Sequence, residues 1–311
     1  FSVEIDPGEI DDARLDALAE AGMTRASIGV QDFDPEIQKI IGREQSFEIT
    51  EAAVNGIRAR GIQSLNTDIL YGLPDQSQAR ITDSVQKLLS LNPDRVALYG
   101  YAHVPWMARR QTLIPSDRLP TPEERLRLFD TARRLFMWDD YDEIGIDHFA
   151  RKDDSMAEAA RDGTLRRNFQ GYTVDAGTAL IGLGASSISR FPQGYAQNIP
   201  VTGEYAKAVE SGSFATKRGH AFTPDDLMRG RLIEQLMCRF ATDRVELQEG
   251  YGASPALLDR LFARAEREFG GYVRRVPGGL EILPEGRPLT RMIARLFDAY
   301  ELDRAGHSPA I

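Results

Sequence analysis

Cysteine is nearly absent from this chain, because its 311 residues contain only one, Cys238. A single thiol excludes a disulfide framework, and it excludes a thiolate-held zinc or iron–sulfur site built from these residues alone. Histidine is also scarce, and its four copies lack the spacing of a metal-binding motif such as HExxH. The residues by themselves therefore predict no metal site within the chain.

Long apolar runs and an excess of positive charge are missing as well. No run approaches the roughly 18 apolar residues of a membrane span, and the opening FSVEID lacks the basic and apolar regions of a signal peptide. The formal net charge of -9 would be repelled by nucleic acid and by an anionic membrane surface. We therefore expect a cytoplasmic protein with neither partner. Because the chain starts without Met and soon enters a strand, we also expect a preceding N-terminal segment.

The chain does have the composition of a folded α/β protein, since 42% of its residues are apolar and 27% are charged. Residues 1–103 alternate short apolar strands with amphipathic helices in units of about 30 residues, which predicts parallel strands joined by helical crossovers. The predicted strands contain SVEID, ASIGVQ, NTDILYG and RVALYGYAH, and a further strand, YDEIGIDHFA, enters a loop. Residues 151–200 are less regular, and such segments are often functional.

Each predicted strand ends in polar side chains. These are Glu4, Gln31, Asp68, His103 and the pair Asp147-His148. Enzymes with parallel β/α barrels keep their chemistry at the carboxyl ends of the strands. The pattern therefore indicates an enzyme.

A different series of predicted helices and strands begins after residue 220. Helices are predicted at about 224–240, about 255–269 and from about 288, and the Pro-Gly-Gly turn of YVRRVPGGLEILPEG predicts a β-hairpin between the last two. Two helices, a hairpin and a helix are typical of a winged-helix arrangement. We expect a barrel domain with a substrate-site extension at 1–220 and a mostly helical, winged-helix-like domain at 221–311.

The segments EIDP, GVQDFD, GREQ, TDILYGLP, YAHVP, GIDHFARKDD, RNFQGYT and YAQN occur in this order along nearly the whole chain. Together they closely resemble the oxygen-independent coproporphyrinogen III oxidases, which are radical S-adenosylmethionine (SAM) enzymes. The combination of HFARKDD with NFQGYT is the most specific part of this resemblance.

The resemblance implies a partial (β/α)6 barrel that lacks its first strands. In the family, a CxxxCxxC loop after the first strand binds a [4Fe–4S] cluster, and a Gly-rich turn follows the second strand; neither motif occurs here. The cluster ligands would then lie outside this chain, which we expect to be inactive alone. The implied reaction of the complete protein is the conversion of two propionates of coproporphyrinogen III to vinyl groups by a SAM-derived radical, giving protoporphyrinogen IX in haem biosynthesis.

The resemblance also assigns cofactor contacts. Glu4 and Ile188 match contacts to the SAM at the cluster, whereas Gln31, Arg43, Asp68 and the backbone near Ala102 match contacts to a second SAM. Three of these residues have a structural alternative: Glu4 could form a salt bridge at the barrel mouth, Ile188 could be core, and Asp68 could pair with Arg43. A carboxylate inside an apolar strand requires either a ligand or such a partner.

Substrate contacts are less defined by the sequence, so the catalytic residues stay unknown. Because the substrate carries four carboxylates, we consider four basic side chains beside the irregular segment as candidate anchors: Arg151, Lys152, Arg166 and Arg167. The alternative for all four is a solvated surface. His103 and His148 are candidate site residues or hydrogen-bonded structural histidines, and Asp147 could hold His148.

Several functions remain open at this point. The related haem chaperone shares the barrel but transfers haem, and a non-catalytic scaffold is a second alternative. A third alternative is a lyase or hydrolase that uses Asp68 and His148 as acid and base. The oxidase interpretation implies coproporphyrinogen III as substrate, two SAM molecules, a [4Fe–4S] cluster, an electron donor such as a flavodoxin, and a monomer.

Overall fold

The computed structural model describes residues 1–106 and 108–300. The last part of the predicted C-terminal domain, residues 301–311, lies outside the described residues. The strands are β1 Ser2–Ile5, β2 Arg25–Gln31, β3 Ser64–Tyr71, β4 Arg95–Gly100, β5 Tyr141–Ile144, β6 His148–Arg151, β7 Arg166–Asn168, β8 Gly171–Thr173, β9 Ile188–Phe191, β10 Gly194–Asn198, β11 Thr216–Ala221, β12 Val273–Val276 and β13 Gly279–Ile282. The α-helices are α1 Asp12–Glu20, α2 Pro35–Ile41, α3 Phe47–Ala59, α4 Gln78–Ser90, α5 Pro122–Trp138, α6 Ser155–Arg161, α7 Thr202–Glu210, α8 Pro224–Arg239, α9 Arg244–Glu249, α10 Pro255–Glu268 and α11 Thr290–Arg295. Short 3-10 turns occupy Arg109–Leu113, Ser116–Arg118 and Pro284–Leu289.

Side-chain caps define the starts of four helices. Asp11 and Asp34 accept hydrogen bonds from backbone amides in the first turns of α1 and α2. Thr121 and Thr223 each form a capping box at the start of α5 and α8. These caps satisfy amides that have no partner inside the helix, so the starts depend on local chemistry.

In the described part of the chain, six strands form one sheet in the order β1-β2-β3-β4-β6-β5. The strands β1 to β4 are parallel neighbours, as predicted. The strand β6 runs antiparallel to both β4 and β5. The sheet is therefore mixed, with a parallel part that follows the chain order.

The segment YDEIGIDHFA is not a single strand. It forms a hairpin in which Ile144 pairs with His148, and Gly145 adopts a positive φ of 58° in the turn. The prediction that Asp147-His148 ends a strand was wrong, because His148 begins β6. The apolar pattern alone could not show this reversal, but the glycine permits the left-handed turn.

The described chain forms two compact units. The first contains residues 1–165 and 287–292, and the second contains 166–286 and 293–300. The predicted domain boundary at residues 220 and 221 lies inside the second unit, and as a statement about domains it stays a prediction.

One face of the six-stranded sheet carries the core of the first unit. Ile28, Leu65 and Ile69 are fully buried there, together with Val85 of α4 and Phe136 of α5. Each such side chain contributes about 1.5–3 kcal/mol when it leaves water. Because side chains alternate along a strand, the intervening residues point to the other face. That second face holds the polar side chains.

The second unit contains the predicted hairpin and more regular structure than the sequence indicated. The strands β12 and β13 pair antiparallel, which confirms the hairpin. Residues 166–200, which are part of the segment 151–200 that was predicted to be less regular, contribute β7 to β10, and β9 to β11 form an antiparallel sheet. In the described residues, no helix has the length and apolar character needed to cross a membrane.

Candidate functional site

The register of the parallel strands aligns the polar side chains in rows across one face of the sheet. Glu4 pairs with Ser27, Ser27 with Asn66, and Gly29 with Asp68. Asp68 in turn lies beside Ala97 of β4. Residues from separate β/α units therefore meet at the carboxyl half of the sheet, as the strand-end pattern predicts.

Asp68 is a partly buried carboxylate with one neutral partner. Its Oδ1 accepts a hydrogen bond of 2.8 Å from Asn66 Nδ2, and Asn66 also donates to Ser27 Oγ. Burial raises the pKa of Asp68 to about 6, and the nearby charge of Glu4 adds to the shift. Within the described ranges Asp68 has no ion-pair partner, so this site favours a cationic ligand group.

Arg43 does not pair with Asp68, so that structural alternative was wrong. Its guanidinium donates to Asp6 Oδ2 and to the carbonyl oxygen of Gly29, both at 3.1 Å. Its Nε is buried and has no hydrogen-bond partner within the described residues. A buried donor without a partner is costly, so Arg43 retains a capacity to bind an acceptor.

Gly29 brings Arg43 and Gln31 close to the backbone of β2. A Cβ atom at position 29 would lie 2.9 Å from Gln31 Nε2 and 3.3 Å from Arg43 Nη2. The absent side chain therefore leaves a space that two of the predicted cofactor-binding side chains border. Glu4, Gln31, Arg43 and Asp68 come from different segments, and the fold places them around the ends of β1, β2 and β3.

Gln31 has a left-handed backbone conformation, with a φ of 67°. The next residue, Asp32, is fully buried and accepts hydrogen bonds from Ser84 Oγ and Gln76 Nε2, both at 2.7 Å. Burial raises the pKa of Asp32, while these hydrogen bonds oppose the shift. The Asp32 network therefore ties the end of β2 to α4 and to the loop after β3. This fixes the turn that carries Gln31.

The chain after β4 contains Ala102 and His103. The carbonyl oxygen of Ala102 accepts a hydrogen bond of 3.0 Å from Gln111 Nε2, and one acceptor position remains for a ligand. His103 contacts the Tyr101 hydroxyl at 3.2 Å and Ser116 Oγ at 2.9 Å. This is the hydrogen-bonded arrangement of a structural histidine.

His148 is held by its neighbour, as the structural alternative expects. Its Nδ1 lies 2.6 Å from Asp147 Oδ1, and its Nε2 lies 3.5 Å from the Tyr99 hydroxyl. Its strand pairing with Ala97 places it in the same row as Asp68. His148 therefore belongs to the polar face, although it begins a strand rather than ending one.

Ile188 belongs to the second unit, whereas the other five predicted contacts belong to the first. It begins β9 and pairs with Gln197 of β10. Its predicted contact to a cofactor stays a prediction.

The predicted propionate anchors have internal partners. Arg151 donates to Asn92 Oδ1 and lies over the Tyr141 ring, at the amino edge of β4 and therefore opposite Asp68. Lys152 pairs with Asp140. In the second unit, Arg166 approaches Glu234 at 3.7 Å, and the Arg167 guanidinium lies 5.4 Å from the Tyr172 ring centre. These contacts favour structural roles for all four.

Two residues beside the predicted cofactor contacts, Asn66 and Gly29, were not predicted. Asn66 could have been identified from the sequence, because a polar residue two positions before Asp68 shares its face of the strand. The role of Gly29 depends on long-range contacts.

The described residues do not fit an iron–sulfur cluster. They contain no group of three or more His, Cys, Asp or Glu side chains arranged to hold a metal ion. Burial raises the pKa of Cys238 to about 12, so its thiol is neutral. By contrast, the orphaned Arg43 Nε, the space at Gly29 and the uncompensated Asp68 fit a ligand that has both an anionic and a cationic group, as SAM has.

Comparisons with a family model and with the sequences of known proteins agree with one another. Residues 1–88 match the model of the Radical SAM superfamily. The oxygen-independent coproporphyrinogen III oxidase of Paracoccus denitrificans is 64% identical over 311 residues, which are 100% of this chain and 69% of the relative. The enzyme of the same name from Escherichia coli is 37% identical over 98% of this chain and 67% of the relative.

A solved structure agrees with these relatives. The chain superimposes with a TM-score of 0.89 on coproporphyrinogen III oxidase (HemN) from Escherichia coli, a radical SAM enzyme, at 37% identity. The superposition covers 96% of this chain and 70% of that one. The chain therefore spans about 70% of the length of these proteins.

Proposed function

Since the chain belongs to the family of oxygen-independent coproporphyrinogen III oxidases, we propose that it forms part of a catalyst that converts two propionate groups of coproporphyrinogen III to vinyl groups in haem biosynthesis. Members of this radical SAM family use SAM and a [4Fe–4S] cluster, in agreement with the predicted cofactors. The residues that the structure describes do not supply ligands for this cluster.

The observation that carries the proposal is the grouping of Gln31, Arg43 and Asp68 around Gly29 at one end of the parallel strands. Arg43 offers a planar guanidinium to a carboxylate, and Asp68 offers a carboxylate to an ammonium or sulfonium group. When bound, SAM supplies the radical chemistry of the family. The protein residues orient it and exclude water.

The two predicted SAM molecules belong to this proposal. Glu4 is exposed at the end of β1 and is close enough to Asp68 to affect its pKa. We assign it with Ile188 to the first SAM, and Gln31, Arg43, Asp68 and the Ala102 backbone to the second. Binding of two equivalents of SAM by the native enzyme, measured by equilibrium dialysis, tests this number.

The finer fold description is also proposed. The parallel β1 to β4, with crossover helices on one face and polar side chains on the other, support a (β/α)6-type barrel of which this chain forms part. The helices α8 and α10, the hairpin of β12 and β13, and α11 support a winged-helix-like region. A cytoplasmic monomer that receives electrons from a flavodoxin-like donor stays a prediction.

The test is turnover by the native enzyme without oxygen. Coproporphyrinogen III, SAM and a reductant are supplied, and protoporphyrinogen IX is quantified after oxidation to its fluorescent porphyrin. We expect a product with two vinyl groups and release of carbon dioxide. Retention of added haem without any vinyl product would instead identify a haem chaperone and overturn the proposal.

A further inference from the structure

A small cavity in the first unit lies at the end of β4, beside α5 and the turn between β5 and β6. Its volume is about 110 Å³. Three guanidinium groups border it, from Arg125, Arg287 and Arg291, whereas Asp147 supplies the one carboxylate in its lining. The lining therefore has an excess of positive charge although the chain as a whole is acidic.

Arg125 enters this cavity through space left by two glycines. A Cβ atom at Gly72 would lie 2.6 Å from Arg125 Nη1, and one at Gly100 would lie 2.9 Å from Arg125 Nη2. The Nη1 donates to the carbonyl oxygen of Tyr101 at 2.9 Å, and the Nε is buried without a hydrogen-bond partner in the described chain. The guanidinium is thus held in place with donor capacity left over.

Arg291 borders the same cavity. Its Nη2 lies 2.5 Å from Asp147 Oδ2, and Asp147 also holds His148. A guanidinium has five N–H donors, so this ion pair leaves donors of Arg291 for a second acceptor. Asp147 therefore positions both Arg291 and His148.

The pKa of Tyr71, at the end of β3, is affected by several of these charged groups. Burial raises the pKa of Tyr71, while Arg125 and Arg291 both act to lower it and Asp147 acts to raise it. The Arg125 guanidinium also lies over the Tyr71 ring, 5.6 Å from its centre. Tyr71 and the neighbouring Leu98 provide apolar surface beside the three arginines in the lining of this cavity.

We propose that this cavity receives one propionate arm of the substrate, with its carboxylate bound by Arg125 and Arg291 and its methylene groups packed against Tyr71 and Leu98. The inference rests on the proposed function, which supplies a substrate with four such arms. The volume suits a short carboxylate chain but not a nucleoside. Ala102, a predicted SAM contact, borders the cavity, so the propionate would lie beside the cofactor.

The experiment measures binding to the native enzyme of coproporphyrin III, the air-stable oxidised form of the substrate, by fluorescence titration. The variants are Arg125→Gln and Arg291→Gln, and the matched control is Arg134→Gln, an exposed arginine of α5 paired with Asp130. We expect each cavity variant to weaken coproporphyrin III binding by about tenfold, the effect of losing a charge-assisted hydrogen bond, with the control unchanged. The tetramethyl ester of coproporphyrin III should bind all four proteins equally weakly.

A second measurement determines SAM binding to the same proteins by equilibrium dialysis. Unchanged SAM affinity together with weakened coproporphyrin III binding supports the proposal. Unchanged coproporphyrin III binding, or a loss confined to SAM, would overturn it. If Arg125→Gln does not fold, Arg291→Gln decides, because that side chain is 48% exposed.

The turnover assay shows whether a negative result contradicts the proposed function or only the assignment of the cavity. Wild-type enzyme that makes no vinyl product but binds coproporphyrin III through Arg291 would reject the function and retain the cavity assignment. Normal turnover with unaltered binding by both variants would reject the cavity assignment alone.

Discussion

The amino and carboxyl ends of the parallel strands carry similar side chains that differ in how completely they are paired. At the amino ends, which form the amino edge of the sheet, Arg95 pairs with Asp154 at 2.8 Å and Arg58 pairs with Asp94 at 2.9 Å. At the carboxyl edge, Asp68 has only a neutral partner among the described residues, and Arg43 pairs with Asp6 but leaves its Nε without a partner there. Compensated charges stabilise a fold, whereas uncompensated charges are available to a ligand. The difference identifies the carboxyl edge as the binding edge.

The largest effect should come from breaking a pair at the amino edge. Arg95 and Asp154 are 5% and 11% exposed, so Arg95→Ala leaves a buried carboxylate without its cation. We expect the free energy of unfolding to fall by about 3–5 kcal/mol. Urea denaturation measures this, with the exposed pair of Arg134 and Asp130 as the control. If Arg95→Ala costs no more than Arg134→Ala, the amino edge is not a stabilising network.

Replacing the uncompensated carboxylate should affect binding instead. Asp68→Asn keeps the shape but removes the negative charge, so we expect SAM affinity of the native enzyme to fall by about tenfold or more. Its stability at pH 7–8 should rise, because a buried charge has been removed. Asp83→Asn, in an exposed pair with Lys87, is the control for both measurements. A variant that binds SAM normally would remove Asp68 from the site.

The pH dependence sharpens the same comparison. The pKa of Asp68 is raised from 3.8 to about 6, so the folded state holds its proton more tightly than the unfolded state does. This group therefore lowers stability as the pH rises from about 4 through 6, and the decrement persists above that range. SAM affinity should rise over the same range as the carboxylate ionises. Isothermal titration at several pH values tests this, and Asp68→Asn should show a flatter profile.

The smallest effect should come from filling the space at Gly29. In Gly29→Ala the new Cβ would press on Gln31 and Arg43. We expect the displaced side chains to weaken SAM binding by roughly fivefold, which corresponds to about 1 kcal/mol of binding free energy. Gly230→Ala, in open space on α8, is the matched control and should leave SAM binding unchanged. Equal SAM affinity in both variants would show that the space at Gly29 is not used.

Local patterns predicted most of the first unit. The caps at Asp11, Asp34 and Thr121 act within a few residues, so their effect is visible in the sequence. The hairpin at His148 was missed because an apolar run does not encode chain direction. The short strands of 166–200 were missed because each depends on pairing with a distant segment.

The candidate site divides in the same way. Asp68 was recognisable from the sequence because a carboxylate inside an apolar strand is unusual, and this feature is visible without knowledge of the fold. Arg43 was predicted as a ligand contact or as the partner of Asp68, but the fold pairs it with Asp6. The anchors expected at Arg151 and Lys152 have partners at the opposite edge, which no local pattern reveals.

The amino-acid order alone determined where most helices and the four parallel strands form and that these strands carry polar groups, because propensity, capping and alternation act over short distances. Only the tertiary structure decided which of those charges are neutralised. Arg125 with Tyr101 and Arg291 with Asp147 join residues 24 and 144 positions apart. Charge compensation depends on distance in space, and that distance exists only once the chain has folded.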